Sequence, residues 1–412
     1  MLRSASAQRQ GWPAAAAFCV SQPFAAILCV LQRGGAGRRR VSNDRQARCA
    51  VCLGAQPCGC AENGGALALP VREALLSWYL EHARSLPWRG ELDPYRIWVS
   101  EVMLQQTRVG AVLERYERFL ERFPSLAALA RAPESAVLEA WAGLGYYRRA
   151  QKLQQAARVC VQRHGGQVPA DPRAFAALPG VGSYTVGAVQ SIAFDAPLPA
   201  VDGNVIRVLS RLLCLEQPPA KAAVRRVIER VARCSVEAVA REQQRPTGDW
   251  NQALMELGAQ RCTPRAPRCE ACPLAPWCRA RARGCAEALP RRTARAERPE
   301  VALAVACAVR DARVLVVRRP PGGLLAGTWG LPAAAGPPEV LESAFGLRPG
   351  RELVRWRHVF SHRVWNARAL LCTVVGTPPR GAWWPLAELR TERFPSAFRP
   401  AVQALADALA VP

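Results

Sequence analysis

The chain has 412 residues, of which 50% are hydrophobic and 21% charged, so it is long enough for two domains and apolar enough to fold. Its formal net charge of +24 attracts polyanions, either nucleic acid or an anionic membrane surface. No apolar run has the length that a bilayer requires, and we therefore expect a soluble protein that binds nucleic acid rather than membrane.

The first segment, residues 1–66, is expected to be a disordered leader. Residues 1–43 contain no Asp or Glu and many Arg and Ala, which is typical of a mitochondrial targeting segment. A leader without an address, or a nuclear signal at GRRR (37–40), is the alternative, and we expect the protein in both nucleus and mitochondrion. Four cysteines of this segment suit either a zinc knot or, given their Gly-rich flanks, unstructured thiols: Cys49, Cys52, Cys58 and Cys60.

Beyond the leader, the pattern of apolar residues predicts an all-α domain over 67–285. Its predicted helices are 71–84, 95–107, 110–122, 134–143, 148–164, 183–194, 202–214, 219–243 and 248–259. An Arg- and Pro-rich linker follows at 286–299. Residues 300–412 then predict a second, α/β (α+β) domain, with strands at 301–310 and 313–319, two more within 354–375, and helices at 338–346 and 398–410.

Four cysteines at the end of the helical domain have the spacing C-x6-C-x2-C-x5-C over 262–278. Such crowding favours metal ligation in a reducing compartment over disulfides. The four thiolates of Cys262, Cys269, Cys272 and Cys278 can hold a [4Fe–4S] cluster or a structural zinc ion, and the ligand count alone does not distinguish the two.

The stretch LPGVGSYTVGAV at 178–189 has the pattern of a tight hairpin that leads into a helix. Pro179, Gly180 and Gly182 form the turn, the glycines allow close backbone approach, and the amides at a helix N-terminus bind phosphate oxygens. Gly180, Val181 and Gly182 are the expected DNA-contacting residues. The pattern therefore predicts a helix-hairpin-helix element that contacts the DNA backbone, although two nearby glycines alone indicate only a turn.

Two carboxyl groups stand in apolar surroundings, Glu101 in WVSEVMLQQT and Asp202 in PAVDGNVIRVL. Desolvation is expected to raise the pKa of Glu101, as a general acid requires, while Asp202 stays ionised. Such a pair suits glycosidic cleavage through an oxocarbenium-like transition state. The alternative is that Asp202 only caps the helix that follows it.

Six sequence blocks resemble, in order, those of the MutY family within the helix-hairpin-helix superfamily of endonuclease III, and the resemblance covers nearly all of 72–285. These blocks are LPWR (86–89), SEVMLQQT (100–107), GLGYYRRA (143–150), LPGVGSYTVGA (178–188), VDGNVIRVL (201–209) and NQALMELGA (251–259). The resemblance implies an adenine DNA glycosylase, and the cysteine spacing, which matches that of endonuclease III-like enzymes, implies a [4Fe–4S] cluster rather than zinc.

The resemblance also implies the roles of the catalytic residues. Glu101 protonates adenine at N7, and Asp202, oriented by Asn204, stabilises the sugar cation or bonds to it transiently. Tyr184 stands where bifunctional relatives such as endonuclease III carry a lysine that forms a Schiff base with the sugar. A strand-cutting lyase is therefore not expected.

Adenine must leave the duplex to react, so the family flips it into a pocket. The resemblance implies that Gln105 and Tyr146 wedge into the base stack. It also implies that Trp88, Arg89 and Glu256 surround the flipped adenine.

The second domain resembles the Nudix-like domain of MutY proteins through RRPPGGLLAGTWGLP (318–332) and WRHVFSH (356–362). Phe360, Ser361 and His362 correspond to the loop that reads 8-oxoguanine, where a hydroxyl distinguishes the lesion by hydrogen bonding and Phe360 intercalates. Nudix hydrolases hold Mg²⁺ on an acidic helix, whereas this chain offers only Glu339 and Glu342, so pyrophosphate hydrolysis is not expected.

The sequence thus predicts a monofunctional, monomeric adenine DNA glycosylase that acts on 8-oxoguanine:A or G:A pairs in duplex DNA. Other base excision repair proteins are its candidate partners. The competing interpretations are an endonuclease III-like glycosylase with lyase activity, a lesion-binding protein without catalysis, and a Nudix hydrolase. Vertebrate members of the family have a longer connector with zinc-binding cysteines. This connector has only Cys285 at its edge, so neither a zinc site nor clamp docking is predicted.

Overall fold

The computed structural model describes residues 65–409 except 244, 292, 294–296, 321, 377, 379 and 380. The leader predicted at 1–66 lies almost wholly outside the described residues, as do Cys49, Cys52, Cys58 and Cys60. Within the described part, no helix is long and apolar enough to cross a membrane.

The helical part confirms the predicted fold class. Its helices are α1 Leu69–His82, α2 Pro94–Leu104, α3 Val109–Arg122, α4 Leu126–Arg131, α5 Glu134–Ala140, α6 Arg148–Arg163, α7 Pro172–Ala176, α8 Ser183–Phe194, α9 Gly203–Leu212, α10 Ala222–Glu242, α11 Thr247–Gln260 and α12 Arg279–Ala282. The short helices α4 and α7 were not predicted because one or two turns show no apolar periodicity. Each begins at a side-chain cap, from Ser125 and Asp171 respectively.

Two separate apolar cores build this helical part. One lies among helices α2 to α8 and includes the buried rings of Trp98, Phe119 and Trp141. The other joins α1, α9, α10 and α11 around Trp250. Helices from the two cores meet at one boundary, which we call the seam. A cavity at the seam can therefore be lined by side chains from both cores.

Helix α2 ends three residues earlier than predicted, at Leu104 rather than 107. The buried guanidinium of Arg149 accounts for this, because its Nη1 donates to the carbonyl oxygens of Val102 at 2.6 Å, Met103 at 2.9 Å and Gln105 at 2.6 Å. These carbonyls lie at the end of the helix, where no further turn supplies amide donors. The Arg149 side chain, which extends from α6, therefore supplies the hydrogen-bond donors that a further turn of α2 would otherwise supply.

The C-terminal part is a mixed sheet with two helices. Its elements are β1 Glu300–Arg310, β2 Arg313–Arg318, β3 Trp329–Gly330, β4 Ala333–Ala335, α13 Val340–Phe345, β5 Leu347–Val359, β6 Val364–Val374, β7 Ala382–Pro385 and α14 Arg399–Leu409. The strand order is β3-β2-β1-β6-β5, with β4 paired to β1 and β7 to β2. Strands β1 and β6 are parallel, and β5 and β6 form an antiparallel hairpin.

Both faces of β1 are buried, and its residues alternate between two cores. Leu303, Val305 and Cys307 pack toward α14, whereas Ala304 and Ala306 pack toward the α13 side. The period of two is that of a strand in the middle of a sheet covered on both sides. This packing holds the β5–β6 hairpin in place, and its tip carries residues 360–363.

The helical part and the sheet belong to one compact unit of the chain. Gln151 Nε2 on α6 donates to the Ala326 carbonyl at 3.4 Å, and Arg318 lies 3.6 Å from Glu134 on α5. Gly327 sits so close that a Cβ there would lie 2.9 Å from the Glu134 carboxylate. The loop after β2 thus packs directly against the helical part.

Candidate active site

A cavity of about 600 Å³ opens at the seam between the two helical cores. Helices α2, α8 and α11 and the start of α9 line it. It brings together these predicted residues: Trp88, Arg89, Glu101, Gln105, Gly180, Gly182, Tyr184, Asp202, Asn204 and Glu256. Val181 is the hairpin residue between the two glycines.

Glu101 is only 6% exposed, and its Oε2 accepts a hydrogen bond from the Tyr184 hydroxyl at 2.5 Å. Burial raises the pKa of Glu101, the hydrogen bond from Tyr184 and the charge of Arg89 oppose the rise, and the negative charge of Asp202 adds to it. The desolvation predicted from the sequence is therefore present. A carboxyl group in these surroundings can keep a proton near neutral pH and donate it.

Asp202 both caps a helix and faces the cavity. Its Oδ1 accepts from the Val205 amide at 2.8 Å, and its Oδ2 accepts from Asn204 Nδ2 at 2.7 Å. Burial raises the pKa of Asp202, and these hydrogen bonds oppose the rise because they stabilise the ionised form. The helix cap that the sequence offered as the alternative is therefore present, and the same carboxylate also lines the cavity.

Arg207, which the sequence analysis did not single out, holds Asn204 in place. Its Nη2 donates to Asn204 Oδ1 and to the Gly258 carbonyl, each at 2.7 Å, and its Nε donates to the Cys262 carbonyl at 2.7 Å. A Cβ on Gly258 would lie 2.5 Å from Asn204 Cβ, so α11 fits against α9 only with glycine there. One hydrogen-bonded chain therefore connects the cysteine loop to Asp202.

Glu256 is the second glutamate that lines the cavity. Burial alone would raise the pKa of Glu256, but the ion pairs with Arg84 at 2.5 Å and Arg89 at 2.7 Å outweigh it and lower the pKa to about 2. Arg89 also donates to Gln252 and to the Tyr79 hydroxyl. The environment of the cavity thus raises the pKa of Glu101 and lowers that of Glu256.

The predicted wedge residues lie on both sides of the Arg149 guanidinium. Its Nη2 donates to the Leu144 and Gly145 carbonyls at 3.1 Å, while its Nη1 bonds the end of α2 next to Gln105. Tyr146, 47% exposed, has its ring 5.5 Å from the guanidinium carbon. Burial lowers the pKa of Arg149 to about 10, so it remains charged at neutral pH. One buried cation therefore connects the two segments that carry Gln105 and Tyr146.

The predicted helix-hairpin-helix element is formed by α7, the turn at 177–182 and α8. Gly180 has a φ of +80°, and a Cβ there would lie 2.6 Å from Lys152 Cβ. Gly182 is the N-cap of α8 and has no side chain to cap its first amides. The start of α8 can therefore receive a phosphate oxygen.

Of the four cysteines of 262–278, Cys262, Cys272 and Cys278 pack against the second core, and Cys269 packs with Cys278 in a smaller cluster. Burial raises the pKa of Cys269, Cys272 and Cys278. Arg211 Nη1 lies 3.3 Å from Cys262 Sγ and also donates to the Thr263 carbonyl. Across the described part of the chain, no three His, Cys, Asp or Glu side chains are placed to hold a single metal ion. Four thiols are a ligand set that both a [4Fe–4S] cluster and a structural zinc ion use.

A second and larger cleft, of about 1290 Å³, lies between the helical part and the sheet. Tyr146 lines one side, and the β5–β6 hairpin tip with Phe360, Ser361 and His362 lines the other. Ser361 and His362 are exposed, whereas the Phe360 ring packs 4.7 Å from Trp365 between ring centroids. Intercalation of Phe360 therefore requires it to leave this contact.

Glu339 and Glu342 are the acidic residues that the sequence singled out in the sheet part. Glu342 on α13 pairs with Arg348 at 3.0 Å. Among the residues that the structure describes, Glu339 and Glu342 have no third ligand placed with them.

Comparison with known proteins gives two family matches and close relatives. The HhH-GPD superfamily of base excision DNA repair proteins matches residues 99–234, and the NUDIX domain matches 304–404. Adenine DNA glycosylase of Homo sapiens is 36% identical over 389 residues, which cover 76% of this chain and 69% of that protein. Its Mus musculus counterpart is 35% identical over 385 residues, with 76% and 73% covered. A solved thermostable thymine-DNA glycosylase is 29% identical and covers 52% of this chain and 95% of its own, with a TM-score of 0.44.

Proposed function

Because the chain belongs to the adenine DNA glycosylase family of base excision repair enzymes, we propose that it hydrolyses the N-glycosidic bond of adenine paired with 8-oxoguanine or guanine in duplex DNA. The observation that carries this proposal is the single cavity in which the buried acid Glu101 meets the hydrogen-bonded carboxylate Asp202. Hydrolysis of a glycosidic bond needs one group that gives a proton and one that stabilises positive charge.

In the proposed mechanism Glu101 protonates adenine at N7, which makes the base a better leaving group. Asp202 faces the sugar, where positive charge develops as the bond to the base breaks. Asn204 and the Val205 amide keep the Asp202 carboxylate in one orientation, so little reorganisation is needed when the charge forms. Glu256, held by Arg84 and Arg89, gives the cavity a fixed polar wall against the adenine edge.

The cavity admits adenine only after the base leaves the stack, which costs roughly a few kcal/mol. Gln105 lies at the rim of the cavity and Tyr146 lines the adjoining cleft, so both are placed to fill the vacated space in the duplex. The cations Arg148, Lys152 and Arg319 line the same cleft and suit the phosphate backbone.

Preference for 8-oxoguanine is proposed to come from the hairpin tip across the cleft from Tyr146. The Ser361 hydroxyl is exposed there and can exchange a hydrogen bond with the oxidised edge of the base. Guanine lacks the C8 oxygen and the N7 hydrogen that distinguish the lesion. A G:A pair is therefore proposed as the poorer substrate.

The enzyme is proposed to be monofunctional. By its resemblance to the family, Tyr184 corresponds to the lysine nucleophile of bifunctional relatives, and its hydroxyl donates a hydrogen bond to Glu101. Among the described residues that line the cavity there is no lysine, so no amine is placed to form a Schiff base.

Members of the endonuclease III and MutY family generally contain a [4Fe–4S] cluster, and we propose that Cys262, Cys269, Cys272 and Cys278 hold one here. When bound, it would join the four thiolates and fix the loop that contains them. Arg207 would transmit this order to Asn204 through its bond to the Cys262 carbonyl. We also propose a monomer that cooperates with other base excision repair proteins in nucleus and mitochondrion, which fluorescent fusions with and without residues 1–66 would test.

The decisive experiment is single-turnover release of adenine from a duplex with one 8-oxoguanine:A pair, beside G:A and 8-oxoguanine:C duplexes. We expect fast release from the first, slower release from the second, none from the third, and strand breakage only after alkali. Tight binding without release would favour a lesion-binding protein. Strand breakage without alkali would contradict the monofunctional assignment.

Glu101→Gln tests the acid directly. We expect the variant to bind the mismatch and to release no measurable adenine, because the amide has no acidic proton to give. Glu117→Gln, which changes an exposed carboxylate on α3, is the matched control and should release adenine normally. Near-normal turnover by Glu101→Gln would remove Glu101 from the mechanism.

A further inference from the structure

Two cysteines outside the predicted cluster set face each other beside the cysteine loop. Cys214 lies in the turn after α9 with a φ of +53°, and Cys285 lies in the turn after α12. Their Sγ atoms are 3.6 Å apart, although 71 positions separate them in the sequence. This is contact distance for two thiols, and a small rotation of either side chain brings them to bonding distance.

The surroundings of the pair make the two thiols unequal. Cys214 is 9% exposed and packs with Ala280 and Leu289, whereas Cys285 is half-buried. Burial and the neighbouring Cys285 thiol raise the pKa of Cys214, and Arg283 Nη1, 3.8 Å from its Sγ, opposes part of this rise. A small oxidant can therefore reach Cys285 first, while Cys214 is placed behind it as the resolving thiol.

We propose that Cys214 and Cys285 form a reversible disulfide that responds to low-molecular-weight disulfides such as glutathione disulfide. The Cys285 thiolate attacks one sulfur of glutathione disulfide and releases one glutathione thiolate, which takes up a proton. The Cys214 thiolate then attacks the Cys285 sulfur of the mixed disulfide and releases the second glutathione in the same way. Overall, two protein thiols lose two electrons and two protons, and one glutathione disulfide becomes two molecules of glutathione.

The disulfide would close a loop that contains α10, α11 and the whole cysteine loop. Cross-linking the ends of so long a segment restricts the unfolded chain and holds α12 against the end of α9. The Asp202 end of α9 lies three helical turns away and takes no part in the bond. The oxidised enzyme is therefore expected to unfold at a higher temperature without a change in adenine release, and this inference does not depend on the proposed substrate.

The test uses the full-length, cluster-loaded protein, equilibrated with mixtures of reduced and oxidised glutathione, alkylated and mapped by mass spectrometry without reduction. We expect a peptide pair linked through Cys214 and Cys285, which dithiothreitol removes, and an oxidation-dependent rise of roughly 5 °C in the apparent unfolding temperature. Cys285→Ser and Cys214→Ser should abolish both effects. Cys234→Ser, which changes a half-buried thiol on α10, away from the pair, should retain both the linked peptide and the rise in unfolding temperature.

Two outcomes would overturn the proposal. One is oxidation that stops at a glutathione adduct on Cys285 with no linked peptide. The other is a link from either thiol to one of the cysteines of 262–278, accompanied by loss of the visible absorbance of the cluster. If Cys214→Ser folds poorly, Cys285→Ser alone still decides the matter, because the more exposed thiol is the easier one to replace.

Discussion

Tyr184→Phe removes one hydroxyl group from the cavity, and its effect on the pH dependence of adenine release can be worked out from the structure. The hydroxyl donates to Glu101 Oε2 at 2.5 Å and so stabilises the ionised carboxylate against the effect of burial. A hydrogen bond to a charged group contributes about 1.5–3 kcal/mol. Its loss should raise the ratio of protonated to ionised Glu101 at a fixed pH by about 10- to 100-fold, since about 1.4 kcal/mol corresponds to a factor of ten.

The sign of the pH effect follows from the proposed role of Glu101 as the proton donor. Release of adenine declines as the pH rises through the pKa of Glu101, because the acid is then ionised. Tyr184→Phe raises that pKa further, so the alkaline limb of the profile should move to higher pH even if the maximum rate falls. Single-turnover rates measured across the pH range on the 8-oxoguanine:A duplex give the limb directly.

The matched control is Tyr95→Phe, which removes a hydroxyl that donates to the Phe123 carbonyl at 2.7 Å, away from the cavity. Its alkaline limb should coincide with that of the unmodified enzyme. An alkaline limb that stays in place in Tyr184→Phe, or moves to lower pH, would refute the reasoning that Tyr184 acts on Glu101.

Three further predictions address other parts of the site. Arg207→Gln should slow adenine release about 10-fold or more while mismatch binding persists, because Asn204 loses its support. Single-turnover rates measure the release and gel shifts measure the binding, and an unchanged rate would disprove the connection from Arg207 to Asp202. Arg149→Met should lower the free energy of unfolding by at least about 3 kcal/mol in urea titrations, since buried carbonyls lose their donor. Arg149→Lys should recover part of the lost stability, and a loss below about 1 kcal/mol in Arg149→Met would contradict this role of Arg149. Replacing Phe360 and Ser361 together with Ala should reduce the preference for 8-oxoguanine:A over G:A by about 10-fold, and an unaltered preference would place lesion reading elsewhere.

Local sequence patterns predicted the elements and the acidic groups, because these depend on neighbours in the chain. The alternation in β1 and the apolar surroundings of Glu101 are of this kind. The roles of Arg149 and Arg207 could not be found in this way, since each bonds carbonyls brought together only by folding. Both lie inside blocks that were recognised by resemblance, yet nothing in the type or spacing of an arginine tells whether it binds phosphate or holds the fold.

The parallel pairing of β1 with β6 could likewise not be predicted from the sequence. The two strands are far apart in the chain, and no turn of fixed length sets their register. The short strands β3, β4 and β7 span only two to four residues, too few to show alternation. Pairing with neighbours, rather than their own residues, makes them strands.

The close approach of α11 to α9 also restricts how this enzyme can diverge. Any side chain at position 258 would displace Asn204, and with it Asp202, so even alanine there should separate DNA binding from hydrolysis. Gln252 and Met255 line the same cavity from the same helix, and they contact the side chains of Arg89 and Tyr184. Changes at these two positions would alter the wall of the cavity, whereas the position of the Asp202 carboxylate, which we propose to be catalytic, depends on a glycine at 258.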